Sequence, residues 1–413
     1  MLKKKYIPEI FLKAIKEIYV MKIQLMNVQR QHETYASEYE EAAINILRSG
    51  SYIGGSEVIS FEEEFATYEG AKYGISCGNG TDAIVLALRA LGIGEDDEVI
   101  TVSWTFFATA ESIAAVGATP VFIDVCSDTY CMNPELIEAV ITEKTKAVLP
   151  VHFYGNSCDM ETISEICKKH NLYLIADCAQ SAGTRYKGER KNTLGDVSCF
   201  SFFPTKNLGC DGDGGMILTD SEEIARTCRA LKVHGSGKDG LWTLKREYEM
   251  RGDKLPENMP IGENKYYNYL IGYNSRLDAV QAAILRKKLT HLEEFIDGRR
   301  KNAKLFNEAL KNTEYITPIE GENAYHSYYI YALKHNNTQI IMEKLKESGV
   351  PCGTYYPVPL HLQGAFAQLG YKKGDLPVTE ELSKTTFAIP VFPEMYDEER
   401  NYIIEQVKKA LED

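Results

Sequence analysis

From Glu57 to Asp220, short apolar runs alternate with segments whose apolar positions recur every three to four residues. Tyr73–Cys77, Glu98–Val102, Pro120–Asp124, Ala147–Val151, Tyr173–Ala176, Val197–Phe202 and Gly215–Leu218 read as strands, being short apolar runs set between helical periods. Thr81–Leu91, Ala108–Val116, Pro134–Ile141 and Met160–His170 carry the helical period between them. Strands separated by helices need crossover connections. The pattern therefore predicts an α/β fold with a mostly parallel sheet, helices on both faces and ligands at the carboxyl ends of the strands. Residues 236–271 break this rhythm; they are polar, charged and rich in Tyr, Gly and Pro, and a stretch of that kind predicts a functional or mobile loop. Leu277–Glu294 resumes a strong helical pattern, expected to be a connector, and residues 300–413 alternate on a smaller scale that reads as α+β. The expected organisation is an N-terminal extension (1–20), a large domain (21–295, with an insertion at 236–271) and a small C-terminal domain (296–413).

The first residues look like a signal peptide only in outline. Lys3, Lys4 and Lys5 precede Ile7–Val20, but Glu9, Lys13, Lys16 and Glu17 interrupt the apolar run and no small-residue cleavage site follows. A short amphipathic helix is expected there, and no stretch has the apolar length needed to span a bilayer. A chain of 413 residues with 44% hydrophobic and 25% charged residues has room for two domains and a large core. Its net charge of −13 speaks against nucleic acid or an anionic membrane as partner, and an anionic substrate would need a local basic pocket. The ten cysteines form no Cys-x-x-Cys pair and no zinc-like spacing with histidine. Reduced thiols in a cytoplasmic protein without a bound metal are the expectation.

Three segments carry candidate chemistry. Cys77-Gly-Asn-Gly-Thr-Asp82 joins a strand to a helix, and its small residues would let backbone N–H groups at the helix start approach a phosphate. Taken alone it is equally a plain turn with a Thr or Asp cap. Asp177 closes the apolar strand in Leu172-Tyr-Leu-Ile-Ala-Asp177, with Gln180 three residues on. A carboxylate there is costly to bury without a partner, although a helix cap would also explain it. Lys206 follows the apolar run Cys199-Phe-Ser-Phe-Phe-Pro204, with Ser201 five residues upstream. A solvated loop lysine is the alternative. Together they match what pyridoxal phosphate needs: an amine for its aldehyde, an anion for its ring nitrogen, donors for its phosphate and apolar cover for its ring.

The segments Asn79-Gly-Thr-Asp-Ala83, Asp177-Cys-Ala-Gln180, Ser201-Phe-Phe-Pro-Thr-Lys-Asn-Leu-Gly209, Asp211-Gly-Asp-Gly-Gly215 and Gly272-Tyr-Asn-Ser-Arg-Leu-Asp278 stand in the order seen in one family. From about Met21 to the C-terminus the chain resembles the DegT/StrS sugar aminotransferases, which share the fold type I architecture of aspartate aminotransferase. The resemblance implies that Lys206 carries pyridoxal 5′-phosphate as a Schiff base and shuttles a proton, that Asp177 pairs with the pyridinium, and that Gln180 contacts the ring oxygen. It implies further that Gly80, Thr81 and Ser201 hold the phosphate, that Phe106 stacks on the ring, and that Asn274 reaches the phosphate of a neighbouring subunit in a homodimer with shared sites. His326 and Tyr356 match substrate-side positions of the family; either could instead pack a strand, and His361 shares that ambiguity. Ala182 departs from the histidine many relatives carry there, which bears on substrate contacts. Relatives with His in place of the lysine are dehydratases, and Lys206 argues against that route.

The reaction so implied is ping-pong transfer from L-glutamate, released as 2-oxoglutarate, to a nucleotide-linked keto-sugar, with C3 amination favoured and C4 open. The insertion holds Lys238, Lys245, Arg246, Arg251, Lys254 and Lys265 with Tyr266, Tyr267 and Tyr269, and is expected to cover the sugar nucleotide or else to serve as a surface loop or oligomer contact. Alternatives are a keto-cyclitol or free sugar phosphate as acceptor, and a cofactor-binding regulator without turnover. A nucleotide-binding oxidoreductase lacks support, because no Gly-x-Gly-x-x-Gly follows the first strand.

Overall fold

The computed structural model describes Met21 and residues 23–250, 252–262 and 266–412. The expected helix at 7–20, and Arg251 and Lys265 of the insertion, lie outside the described residues. Two helices, α1 (Val28–Ser49) and α2 (Ser56–Glu69), precede the alternating part. There follow β1 (Tyr73–Cys77), α3 (Gly80–Ala90), β2 (Glu98–Val102), α4 (Phe107–Ala115), β3 (Thr119–Ile123), β4 (Thr145–Leu149), α5 (Met160–His170), β5 (Tyr173–Asp177), the short β6 (Arg185–Tyr186), β7 (Val197–Ser201) and β8 (Gly215–Thr219). Seven strands form one sheet in the order β1-β8-β7-β5-β4-β2-β3. The pairings from β7 through β5, β4 and β2 to β3 are parallel, whereas β8 runs antiparallel to both neighbours. Because β1 and β7 are each antiparallel to β8, their carboxyl ends lie on the same edge as those of β2 and β5. The turns after β1, β2, β5 and β7 therefore converge on one edge.

The central strands are buried along nearly their whole length, which explains their unbroken apolar character in a sheet covered on both faces. Pro134–Ile141, expected as a helix, forms two short 3₁₀ turns, Pro134–Leu136 and Glu138–Val140; eight residues are too few for helical propensity alone to hold an α-helix. The insertion is not a loop throughout. Its first half forms α7 (Gly237–Met250), which packs on α6 (Glu222–Leu231) through Arg226 over Trp242 at 4.3 Å and the Arg226–Asp239 and Arg246–Glu223 pairs at 3.1 Å.

The expected connector is two helices, α8 (Ala279–Thr290) and α9 (Leu292–Leu310), with the break at His291. Helix α9 serves two cores. Leu292, Phe295 and Ile296 join the core of the large sheet, while Ala303, Phe306 and Leu310 join a second core built by the C-terminal residues. That second core contains Ile23 and is organised by β10 (Tyr331–Lys334) and β11 (Thr386–Ile389) with α10 (Thr338–Glu347) and α12 (Asp397–Lys409). Two shorter elements complete this part, β9 (Ala324–Tyr325) paired with β6, and α11 (Pro377–Thr385) leading into β11. Among the described residues no helix is long and apolar enough to cross a membrane.

Candidate active site

A cavity of about 730 Å³ opens at the edge where the strand ends converge. Gly80, Thr81, Phe106, Asp177, Gln180, Ser201, Lys206 and Tyr356 all line it. Their positions follow from local chain geometry. Asn79 caps α3, its side chain accepting from Asp82 N at 2.8 Å, which leaves the N–H groups of the first turn without partners inside the helix. Gly80 sits against the end of β7, where a Cβ would come within 2.7 Å of Ser201 Cβ. Ser201 itself is the last residue of β7 and Lys206 lies five residues beyond it.

Asp177 ends β5 and is 5% exposed. Its Oδ2 accepts from Thr109 Oγ1 at 2.8 Å and its Oδ1 from Ala179 N at 3.1 Å. Burial raises its carboxyl above the usual range, opposed by those two donors and by the charge of Lys206. Among the described residues its side chain forms no salt bridge, and the charge that favours its ionised form is that of Lys206. Gln180 is equally constrained: its Oε1 accepts from Tyr154 N at 2.7 Å. The carbonyl side being occupied, the amide nitrogen is the end left to donate into the cavity. Phe106 covers one wall, 55% exposed, with its ring 5.6 Å from that of Tyr356. Tyr356 is held through its carbonyl, which accepts from Trp104 Nε1 at 2.9 Å.

Three candidates, His326, His361 and Asn274, are not brought to this cavity. His326 is sealed away: its Nδ1 accepts from Tyr328 N at 2.8 Å, its ring stacks on Tyr328 at 4.0 Å, and burial followed by the nearby Arg300 charge pushes it down to about 3. It is a neutral packing group here. His361 is likewise buried, with Nδ1 2.6 Å from Ser103 Oγ and Nε2 3.3 Å from Glu380 Oε1. Asn274 lies outside the cavity, bridging to Val233. Ala182, two positions beyond Gln180, is buried. Sequence reasoning missed Thr109, Thr205 and Tyr329, all of which line the cavity.

A search against protein families matches residues 33–408 to the DegT/DnrJ/EryC1/StrS aminotransferase family. The chain is 42% identical to a Geobacillus stearothermophilus protein named pleiotropic regulatory protein, over 94% of this chain and 98% of the relative. It is 38% identical to UDP-2-acetamido-2-deoxy-3-oxo-D-glucuronate aminotransferase of Pseudomonas aeruginosa, over 90% and 95% of the two chains. The crystal structure of S. venezuelae DesV in complex with a ketimine intermediate superposes with a TM-score of 0.86 at 32% identity, covering 95% of this chain and 99% of that one. With the strand-edge cavity, its lysine and its carboxylate already in place, these matches settle the family: the chain belongs to the DegT/DnrJ/EryC1/StrS aminotransferases.

Proposed function

We propose that this chain transfers the amino group of L-glutamate to the ketone of a nucleotide-linked keto-sugar, with pyridoxal 5′-phosphate held at Lys206. The observation that carries the cofactor assignment is Asp177, a buried carboxylate without an ion pair, facing the same cavity as Lys206. When bound, the cofactor carries the amino group between donor and acceptor and draws off the electron pair left when a carbon–hydrogen bond breaks. Asp177 holds the proton on the ring nitrogen. Gln180 Nε2 donates to the ring oxygen. The first N–H groups of α3 at Gly80 and Thr81 and the Ser201 hydroxyl bind the phosphate, and the close fit of Gly80 against Ser201 keeps that cradle narrow. Phe106 and Tyr356 cover the ring and exclude water. Lys206 Nζ takes the proton from the donor's α-carbon and returns it when the acceptor's amine is completed.

The nucleotide-linked 3-keto-sugar as acceptor is supported by the 3-oxo sugar substrate in the name of the 38%-identical relative. A homodimer completes the proposal, with Asn274 reaching the partner's site; Asn274 lies outside its own cavity, and Ile53, Phe106, Phe203 and Ile271 are exposed apolar side chains. A cytoplasmic location agrees with ten unpaired cysteines. Loading the enzyme with glutamate and following the cofactor's visible absorbance tests the function: a nucleotide-linked 3-keto-sugar restores the starting band and Lys206→Ala abolishes both band and turnover. Retained turnover in Lys206→Ala overturns the reading. The regulatory name of the 42%-identical relative favours a second reading, regulation without turnover, and turnover with any ketone in the same panel removes it.

A further inference from the structure

Lys206 has company that the assignment above leaves unused. Its Nζ lies 4.3 Å from the centroid of the Tyr329 ring, and the Tyr329 hydroxyl is 3.5 Å from Thr205 Oγ1. Tyr329 and Thr205 both face the cavity. The tyrosine is held from behind. Arg299 of α9, 1% exposed, donates from one guanidinium nitrogen to the carbonyls of Val391 (2.7 Å), Tyr329 (3.3 Å) and Tyr328 (3.5 Å). The backbone that carries the ring is thus held by a buried arginine of α9. Burial alone would push the Tyr329 phenol up; the Lys206 charge and hydrogen bonding with Thr205 and Lys206 outweigh it and leave the phenol below the ordinary range.

A cation over a ring face is attracted by the ring quadrupole, most strongly where water is excluded. When the donor's carbon–hydrogen bond breaks, the proton adds to the lone pair of Nζ and the electron pair stays with the carbon. An ammonium forms in a largely apolar cavity, and a group that stabilises it there lowers the barrier.

We propose that Tyr329 is a positioning residue for Lys206, its ring face and hydroxyl oxygen holding the Nζ ammonium that forms as the lysine takes the donor's proton. Tyr329 itself neither gains nor loses a proton. The proposal rests on the reading of Lys206 given above.

Tyr329→Phe keeps the ring and removes the hydroxyl; Tyr329→Leu removes both. The holoenzyme's glutamate half-reaction is measured in single turnovers with unlabelled and 2-deuterated L-glutamate. Tyr329→Leu slows the first-order step about 30-fold and Tyr329→Phe about threefold, in line with a desolvated cation–ring contact. Glutamate affinity stays unchanged and the deuterium isotope effect rises, because proton transfer has become slower relative to the other steps. A second readout needs no cofactor. In alkaline titration of the apoenzyme, the tyrosinate absorbance difference between wild type and Tyr329→Phe isolates Tyr329, which ionises below the ordinary tyrosine range, and Lys206→Met moves it upward. Half-reaction rates unchanged in both variants overturn the proposal, as does a Tyr329 titration indifferent to Lys206; if Tyr329→Leu does not fold, the titration decides. Turnover surviving in Lys206→Ala would instead sink the functional reading, whereas a dead Lys206→Ala beside an unimpaired Tyr329→Leu sinks this proposal alone.

Discussion

At the floor of the cavity Asp177 is held by two neutral donors, the Thr109 hydroxyl and the Ala179 N–H. Burial raises its carboxyl and these donors oppose the rise, so the anion needed by a pyridinium depends on them. In the cofactor-free protein a raised carboxyl stays protonated to higher pH, so cofactor affinity is full above the raised value and falls as pH drops through it. Thr109→Val removes one stabiliser of the anion and moves that acid limb to higher pH. Cofactor titrations of wild type and variant across the acid range check this; coincident limbs would show that Thr109 has no such part. Asp177→Asn, which keeps the shape and loses the charge, is expected to slow the half-reaction by about 10²–10³-fold, the scale of losing a preorganised electrostatic partner. His326 offers the contrast. Chosen from its motif as a substrate residue, it is a stacked neutral ring at the edge of the second core, because whether an imidazole faces a cavity or a core is a matter of side-chain direction.

Among the elements, the junction of α3 with the end of β7 governs the phosphate cradle. Gly80→Ala would place a methyl group 2.7 Å from Ser201 Cβ and 3.3 Å from Ser201 Cα, inside any tolerable contact, so helix and strand must separate. The variant should bind the cofactor about tenfold or more weakly while keeping its fold, a loss of roughly 1.4 kcal/mol or more, read by equilibrium titration against an unchanged circular dichroism spectrum. The insertion divides at Met250. Helix α7 commits Asp239, Trp242 and Arg246 to its neighbour α6, and we propose that the residues beyond it, Lys254 among them, lie over the sugar nucleotide. Excising 252–262 should raise the acceptor's KM and leave the glutamate half-reaction as it was. An unchanged acceptor KM would assign the tract to the surface instead.

Across the whole molecule, α9 contributes side chains to both cores, and Glu69 couples α2 to the loop that carries Gln180. Glu69 Oε1 accepts from Gly183 N at 2.9 Å while Oε2 has no partner. Burial pushes this carboxyl up to about 8 from an ordinary 4.5, with Glu293 adding to the rise and Arg190, Arg185 and the Gly183 N–H opposing it. The folded state therefore keeps a proton that the unfolded chain releases. The stability this proton confers is full below pH 4.5 and is lost as pH rises to about 8. Glu69→Gln retains an acceptor for Gly183 and should flatten that part of the Tm–pH curve. A variant curve parallel to wild type would place the dependence elsewhere.

The α/β class, the strand order along the chain and the nomination of Asp177, Gln180, Ser201 and Lys206, which line one cavity, were legible in the sequence, because alternation of apolar runs with helical periods is a local property and these residues sit where strands end. Other features were decided only by tertiary packing. The antiparallel β8, the helix hidden in the insertion and the break at His291 depend on which neighbours each segment meets. So do the burial of His326 and the arrival of Tyr329 beside Lys206, which require α9 and the second core to dock against the large sheet. Local sequence specifies which chemical groups a strand end presents; the direction in which a side chain from a distant segment points is set by the packing of the two cores, and no periodicity within that segment encodes it.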